Sequence, residues 1–325
     1  LPEEVDLHVK NGNSLIDDEK VVGLKAFKWT GDFKEDSFDV VIGNPPYLDY
    51  REIDGTEHIK KHYYSAQVKD KYNILILFIE KGLKLLKERG YLGFIVSNQF
   101  LCSEFGLKIR DFILKNSEIK QIIDVSMMKV FREASTYPII IILKKTKPKN
   151  NIIKLFKLKG EDKLINNSIN FNELPQEVYN NFDKNLFLID LTKNNLKIIE
   201  KMKENSKPLE QYVDKMVWGT SATGYGKKKI KEKDFLLLPN NKQQEYIKII
   251  QTSDIQRYRI NWQKEFIPKN IYGERILSLF KQDKIVIGRL NKFLKATIDT
   301  DKYVMGKSTL IIPKKEINIK YLLAI

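Results

Sequence analysis

Residues 38–47, FDVVIGNPPY, constrain this chain more than any other stretch. Phe38, Val40, Val41 and Ile42 form a short apolar run with strand character, and the run stops at Gly43. An asparagine, two prolines and a tyrosine follow at once. Proline fixes φ and has no N–H to donate, so Asn44-Pro45-Pro46-Tyr47 neither extends a central strand nor relaxes into ordinary turn hydrogen bonding. A polar amide, a stiff backbone and a flat ring therefore sit together at a strand's carboxyl end. Open α/β sheets bind their ligands in that crevice. A proline-rich turn with no further role is the plain alternative.

The tetrapeptide resembles the catalytic motif of S-adenosylmethionine-dependent amino-methyltransferases, chiefly the adenine-N6 DNA methyltransferases. An exocyclic amine on a purine is a poor nucleophile, because its lone pair is delocalised into the ring. Two acceptors converging on its N–H groups push the nitrogen toward tetrahedral geometry. The Asn44 side-chain carbonyl and the Pro45 backbone carbonyl are two such acceptors. The resemblance implies that Asn44 and Pro45 hold the amine, that Pro46 stiffens the loop, and that Tyr47 stacks on a base rotated out of the duplex. Holding such a near-attack geometry can remove roughly 7–11 kcal/mol of a barrier at the extreme.

The order of elements extends the resemblance. Lys71-Tyr72-Asn73 opens a helical pattern with Ile74, Leu75, Phe78, Ile79, Leu83 and Leu86 on one stripe, ended by Arg89-Gly90. A strand over 91–96, a helix over 100–114 and strands over 119–125 and 137–143 are expected next. This order is similar to the second half of the methyltransferase domain in TaqI-like (gamma-class) adenine methyltransferases and in fused type IIG restriction–modification enzymes. It implies that Phe131 clamps the base against Tyr47, with an ordinary core phenylalanine as the alternative. It also implies S-adenosylmethionine as cofactor, contacted by Asn13, Asn44 and Tyr72. The family commonly has Asp where this chain offers Asn13, and an Asn-Gly-Asn turn is the competing reading there.

The family's first strand and glycine-rich loop find no counterpart before Phe38, since Gly12, Gly23 and Gly31 do not form one. The sequence thus reads as a fragment with a partial Rossmann-like sheet in an α/β class, followed by a mixed α+β domain. Gly219, Gly224 and Gly226 imitate a phosphate loop, but Tyr225 stands where lysine is required. Asp17-Asp18-Glu19-Lys20 and Glu161-Asp162-Lys163 are the nearest approach to a nuclease site, and both read as solvated charge clusters.

With 325 residues, two domains are expected. The boundaries read as 1–150 for the methyltransferase part, 151–208 for a connector with a helix over 191–205, and 209–325 for an incomplete target-recognition domain. The net charge of +15 fits a nucleic-acid binder, although Lys-, Asn- and Ile-rich usage inflates it too. Lys227, Lys228, Arg257, Arg289 and Lys292 are the candidate contacts to double-stranded DNA, with Ser221, Thr223, Lys229, Arg259 and Asn291 beside them. Trp218 or Tyr225 is a candidate to fill the space left by a flipped base. The lone Cys102 excludes an intrachain disulfide framework and suits a cytoplasmic protein. His58 and His62 lack a third metal ligand, and no apolar run reaches the length of a membrane span. Alternatives are an RNA or protein-glutamine methyltransferase, and a non-catalytic DNA-binding module.

Overall fold

The apolar run is a strand, β1 (Phe38–Gly43), which pairs in parallel with β2 (Leu86–Ser97). Between them the helix Leu75–Leu85 lays Leu75, Ile76, Ile79 and Leu83 into the core. The helix stops a turn short of the expected Arg89-Gly90, because Leu86 turns to extended backbone at ψ 143° and its side chain is wholly buried. Arg89 then adopts φ 71° and the ladder with β1 shifts register, so Arg89-Gly90 is an irregularity inside β2. The computed structural model describes residues 10–29, 33, 38–68, 72–128, 137–158, 170–219, 228–289 and 293–324.

β3 (Glu118–Asp124) and β4 (Pro138–Lys144) form where the β-branched runs predict them, and β4 lies antiparallel between β2 and β3. Alternation is clean on β4, with Ile139, Ile141 and Leu143 all at 0% exposure. The expected helix over 100–114 is shorter: 3₁₀ turns at Asn98–Leu101 and Glu104–Gly106 lead into the helix Leu107–Asn116. Gly106 is required there. A Cβ on it would sit 1.9 Å from the Phe100 carbonyl oxygen. Arg110, fully buried, donates to the carbonyls of Phe100, Ser103 and Lys184 and closes this turn.

The sheet does not end near 150. β5 (Ile152–Lys157) runs parallel to β3, and β6 (Asn172–Pro175) closes antiparallel on β5, giving the order β1-β2-β4-β3-β5-β6. Lys144–Asn150 is therefore a connection within the sheet, not a domain boundary. Buried amides explain the continuity: Gln176 accepts from Ile119 N–H at 2.6 Å and from Asn151 Nδ2 at 2.9 Å, and donates to the Ser117 carbonyl at 3.0 Å. The helix Lys193–Asn205 forms as predicted but buries no residue fully, and Ile198 and Met202 point outward at about 60% exposure. The chain divides into two compact units, Leu1–Lys201 and Met202–Ile325.

The second unit is mixed α+β, as expected. One four-stranded sheet orders β14 (Lys295–Asp299), β13 (Lys284–Gly288), β16 (Thr309–Pro313) and β7 (Val213–Trp218). A second orders β15 (Val304–Met305), β9 (Tyr246–Ile250), β12 (Glu265–Pro268) and β8 (Ile230–Lys231). A short hairpin, β10 (Ile255–Gln256) and β11 (Arg259–Ile260), accompanies them. Ile249, Ile250, Ile267, Val286, Val304 and Leu310 fill a core of its own.

Candidate functional site

β1 delivers Asn44 to the carboxyl end of the first sheet. Its last residue, Gly43, pairs with Phe94 on β2. The Asn44 side chain is exposed, while Pro45 is buried beneath it and Pro46 is exposed again. The backbone therefore rests on the protein, and the amide faces outward. Tyr47 is half-buried against the first unit's core, and its hydroxyl donates to the Ile95 carbonyl of β2 at 3.2 Å. Burial pushes that hydroxyl's pKa above the ordinary tyrosine value, so it stays a neutral donor. The chain after the motif is fixed by a short antiparallel pairing. Tyr50 N–H donates to the Tyr72 carbonyl, and Ile74 N–H donates to the Leu48 carbonyl.

Gly43, Asn44, Pro45 and Pro46 form one wall of a cavity of about 270 Å³. Val41, Phe78 and Phe94 give it an apolar floor, Trp29 flanks it, and Ser14, Asn44 and Lys81 supply its polar groups. Trp29 is locked by a hydrogen bond from its indole nitrogen to the Ser14 carbonyl at 3.0 Å. Sequence reasoning missed Trp29 and Lys81. Phe94 was visible only as one of the alternating positions of β2, and Trp29 lies in an aperiodic stretch with no signal. A larger cavity of about 440 Å³ lies further along the sheet, bordered by Asn98, Asp124, Lys157 and Asp190. Its charges already satisfy one another, Lys157 lying 3.1 Å from Asp190 and 3.8 Å from Asp124, and it lacks the motif. The smaller cavity is the better candidate.

Other predicted residues fall differently. Tyr72 is 2% exposed with its ring against Tyr50, and it does not line the cavity. This contradicts a direct cofactor contact, because packing of the 48–50 and 72–74 segments turns the ring inward. Asn13 accepts from the N–H groups of Leu15 and Ile16, the bonding of the Asn-Gly-Asn turn. Phe131, the expected second clamp, lies outside the described residues, as do Lys227, Lys292, Ser221, Thr223, Tyr225 and Asn291.

The second unit carries the charge. Residues 202–325 hold 25 Lys and Arg against 13 Asp and Glu, a net +12 of the chain's +15. Lys228, Arg257 and Arg259 are exposed. Lys229 is not a free contact: it lies 2.6 Å from Glu265, which Lys231 also approaches at 3.0 Å. Burial alone would raise the Glu265 carboxyl, but the two ammonium groups bring it below the usual carboxylate range. Arg289 stacks its guanidinium on Trp218 at 4.4 Å. Among the described residues, no helix is long and apolar enough to cross a membrane, and no group of His, Cys, Asp and Glu is arranged to hold a metal.

Comparison with known proteins agrees with both halves. Residues 3–131 match the family model of the Eco57I restriction-modification methylase, and residues 247–325 match that of the TaqI-like C-terminal specificity domain. The Escherichia coli type II restriction enzyme and methyltransferase RM.Eco57I is 33% identical over 159 residues, 43% of this chain and 15% of its own length. RM.MjaORFECS2P of Methanocaldococcus jannaschii, assigned as a type II restriction enzyme and methyltransferase, is 26% identical over 328 residues. That alignment covers 93% of this chain and 26% of the relative. The chain thus spans about a quarter or less of these relatives' lengths. The solved structure of the Type IIL restriction-modification enzyme MmeI in complex with DNA is similar in fold, with a TM-score of 0.58 and 12% identity over 87% of this chain and 42% of that one. Residues 3–131 are thus similar to the Eco57I restriction-modification methylases, and residues 247–325 to TaqI-like C-terminal specificity domains.

Proposed function

We propose that this chain is part of an adenine-N6 DNA methyltransferase of a restriction–modification system, acting on a base flipped from double-stranded DNA. The observation that carries the reading is the Asn44-Pro45 pair, held at a strand's carboxyl end with its amide exposed beside an apolar cavity. Asn44 Oδ1 and the Pro45 carbonyl accept from the target amine, which localises the lone pair on nitrogen. Tyr47, with its hydroxyl tied to Ile95, offers a ring already fixed in orientation, so stacking a base on it orders little that is not ordered already. The second unit's net +12 favours a polyanionic substrate over a protein amide.

S-adenosylmethionine fits the cavity in part. Phe78 and Phe94 suit a flat aromatic ring, and the Asn44 amide suits a purine edge. At about 270 Å³ the cavity is small for a whole drug-sized ligand. None of its lining residues is a carboxylate that would bond ribose hydroxyls. The cofactor, when bound, supplies a methyl group activated by a sulfonium leaving group. Trp29 and Phe94 exclude water from the approach, and Asn44 orients the accepting nitrogen.

The test is methyl transfer from labelled S-adenosylmethionine to mixed-sequence duplex DNA by the full-length protein. Label on adenine N6 is expected, and Asn44→Ala should abolish transfer while leaving DNA affinity within about twofold. Unchanged turnover in that variant refutes the assignment. Cofactor binding without label on DNA would move the substrate to RNA or protein glutamine.

A further inference from the structure

The β10–β11 hairpin has a two-residue turn. Gln256 pairs with Arg259, so Arg257 and Tyr258 alone make the connection. Tyr258 adopts φ 65°, in the left-handed region that bulky side chains avoid and that turns normally assign to glycine or asparagine. Its ring gives little in return through burial, being 55% exposed. The turn is nevertheless fixed in place, because the Tyr258 N–H donates to the Ala296 carbonyl of β14 at 2.9 Å. The Arg257 guanidinium lies over the Tyr258 ring at 5.1 Å and donates to its hydroxyl at 3.5 Å.

The sheet register sets this turn opposite a second pair of the same kind. Ala296 pairs with Ile287, Ile287 with Thr309, and Thr309 with Trp218. Tyr258 and Trp218 therefore terminate one row across the sheet, four strand spacings or roughly 19 Å apart along the backbone. Trp218 is 65% exposed and carries the Arg289 guanidinium on its face. Two exposed rings, each topped by a guanidinium, mark the ends of one row in a unit whose net charge is +12. In duplex DNA exposed rings pack on base edges such as the thymine methyl, and guanidinium groups bond phosphates or guanine edges. The charge complementarity is to a polyanion.

We propose that the Arg257–Tyr258 turn is a base-contacting element of the second unit. It works with the Arg289–Trp218 pair to hold duplex DNA at two points, and Tyr258 is kept in an unfavourable backbone conformation for the sake of that contact. The proposal rests on the DNA reading above and adds which residues set specificity. The left-handed backbone separates its test from a simple loss of fold.

Tyr258→Gly relaxes the turn, so its melting temperature should equal or exceed that of the unaltered protein. Its affinity for plasmid-derived duplex DNA should nonetheless fall about tenfold, the loss of one base-edge contact. Methylated positions mapped on that plasmid should become less selective. Tyr258→Phe, which keeps the ring, should bind within about twofold of the unaltered protein. Arg257→Gln should lower the slope of log affinity against log salt by about one. All assays use the full-length protein. A Tyr258→Gly variant that is equally stable and matches the unaltered protein in affinity and site selection overturns this inference while leaving the methyltransferase reading intact. Failure of the unaltered protein to bind or methylate duplex DNA overturns both.

Discussion

Replacing Lys284 by methionine should destabilise the second unit more than any surface change. Lys284 on β13 and Asp299 on β14 are direct cross-strand partners, both at 0% exposure, with Nζ 2.6 Å from Oδ2. Nζ also donates to the Phe280 carbonyl at 2.7 Å, and Asp299 Oδ1 accepts from the Asp301 N–H at 2.9 Å. Burial pulls the lysine pKa down and pushes the aspartate pKa up, and each partner offsets part of the other's penalty. Methionine fills similar space but leaves a buried carboxylate alone, a change worth roughly 3–5 kcal/mol. For the 124 residues from Met202 to Ile325, that is a fall in melting temperature of about 15 °C. The sign of the pH effect follows from the raised aspartate. Its folded-state pKa lies above the unfolded value, so the variant is most stable where the group is protonated and loses stability as pH rises through the raised pKa. The deficit should therefore be largest near pH 7 and shrink toward about pH 4. Lys284→Met combined with Asp299→Leu should recover most of the loss. Thermal melts across that pH range read the unaltered protein and both variants. A single-variant loss below about 1 kcal/mol, or one that does not shrink in acid, refutes the reasoning.

Three further outcomes are expected. Gln176→Leu strips partners from Ile119 N–H, Asn151 Nδ2 and the Ser117 carbonyl together, and urea titration should show a loss of about 3 kcal/mol in the first unit. Gly106→Ala drives a Cβ into the Phe100 carbonyl, so the helix Leu107–Asn116 must shift, at a cost of about 3 kcal/mol or more by the same titration. Glu265, held below the usual carboxylate range by Lys229 and Lys231, contributes stability above that range that is lost as pH falls through its depressed pKa. Glu265→Gln should flatten that acid limb in melts taken between about pH 5 and pH 2.

The strands of the first sheet were legible because their apolar runs are short and end at glycine, proline or charge. β1, β3 and β4 lie within a residue or two of their predicted spans. Asn44-Pro45-Pro46-Tyr47 was legible because two prolines leave the backbone few options. The end of the helix Leu75–Leu85 was not, since Leu86 continues the apolar spacing whether it closes a helix or opens a strand. Neither was the membership of β5 and β6 in the sheet. Lys144–Asn150 looks like a linker by composition, and the amides of Asn151 and Gln176 that bind across it are polar residues, not obvious core. The cavity's Trp29 depends on a contact with Ser14 that no periodicity announces.

Among the described residues no strand pairs with the outer side of β1, and Val40 and Ile42 are 56% and 77% exposed there. A ladder edge with bulky β-branched residues is a template for strand addition, and a further segment of the full-length protein is the strand such an edge accepts first. Because β1 carries Gly43 at its end, whatever strand lies along it also fixes the wall of the cavity beside Asn44.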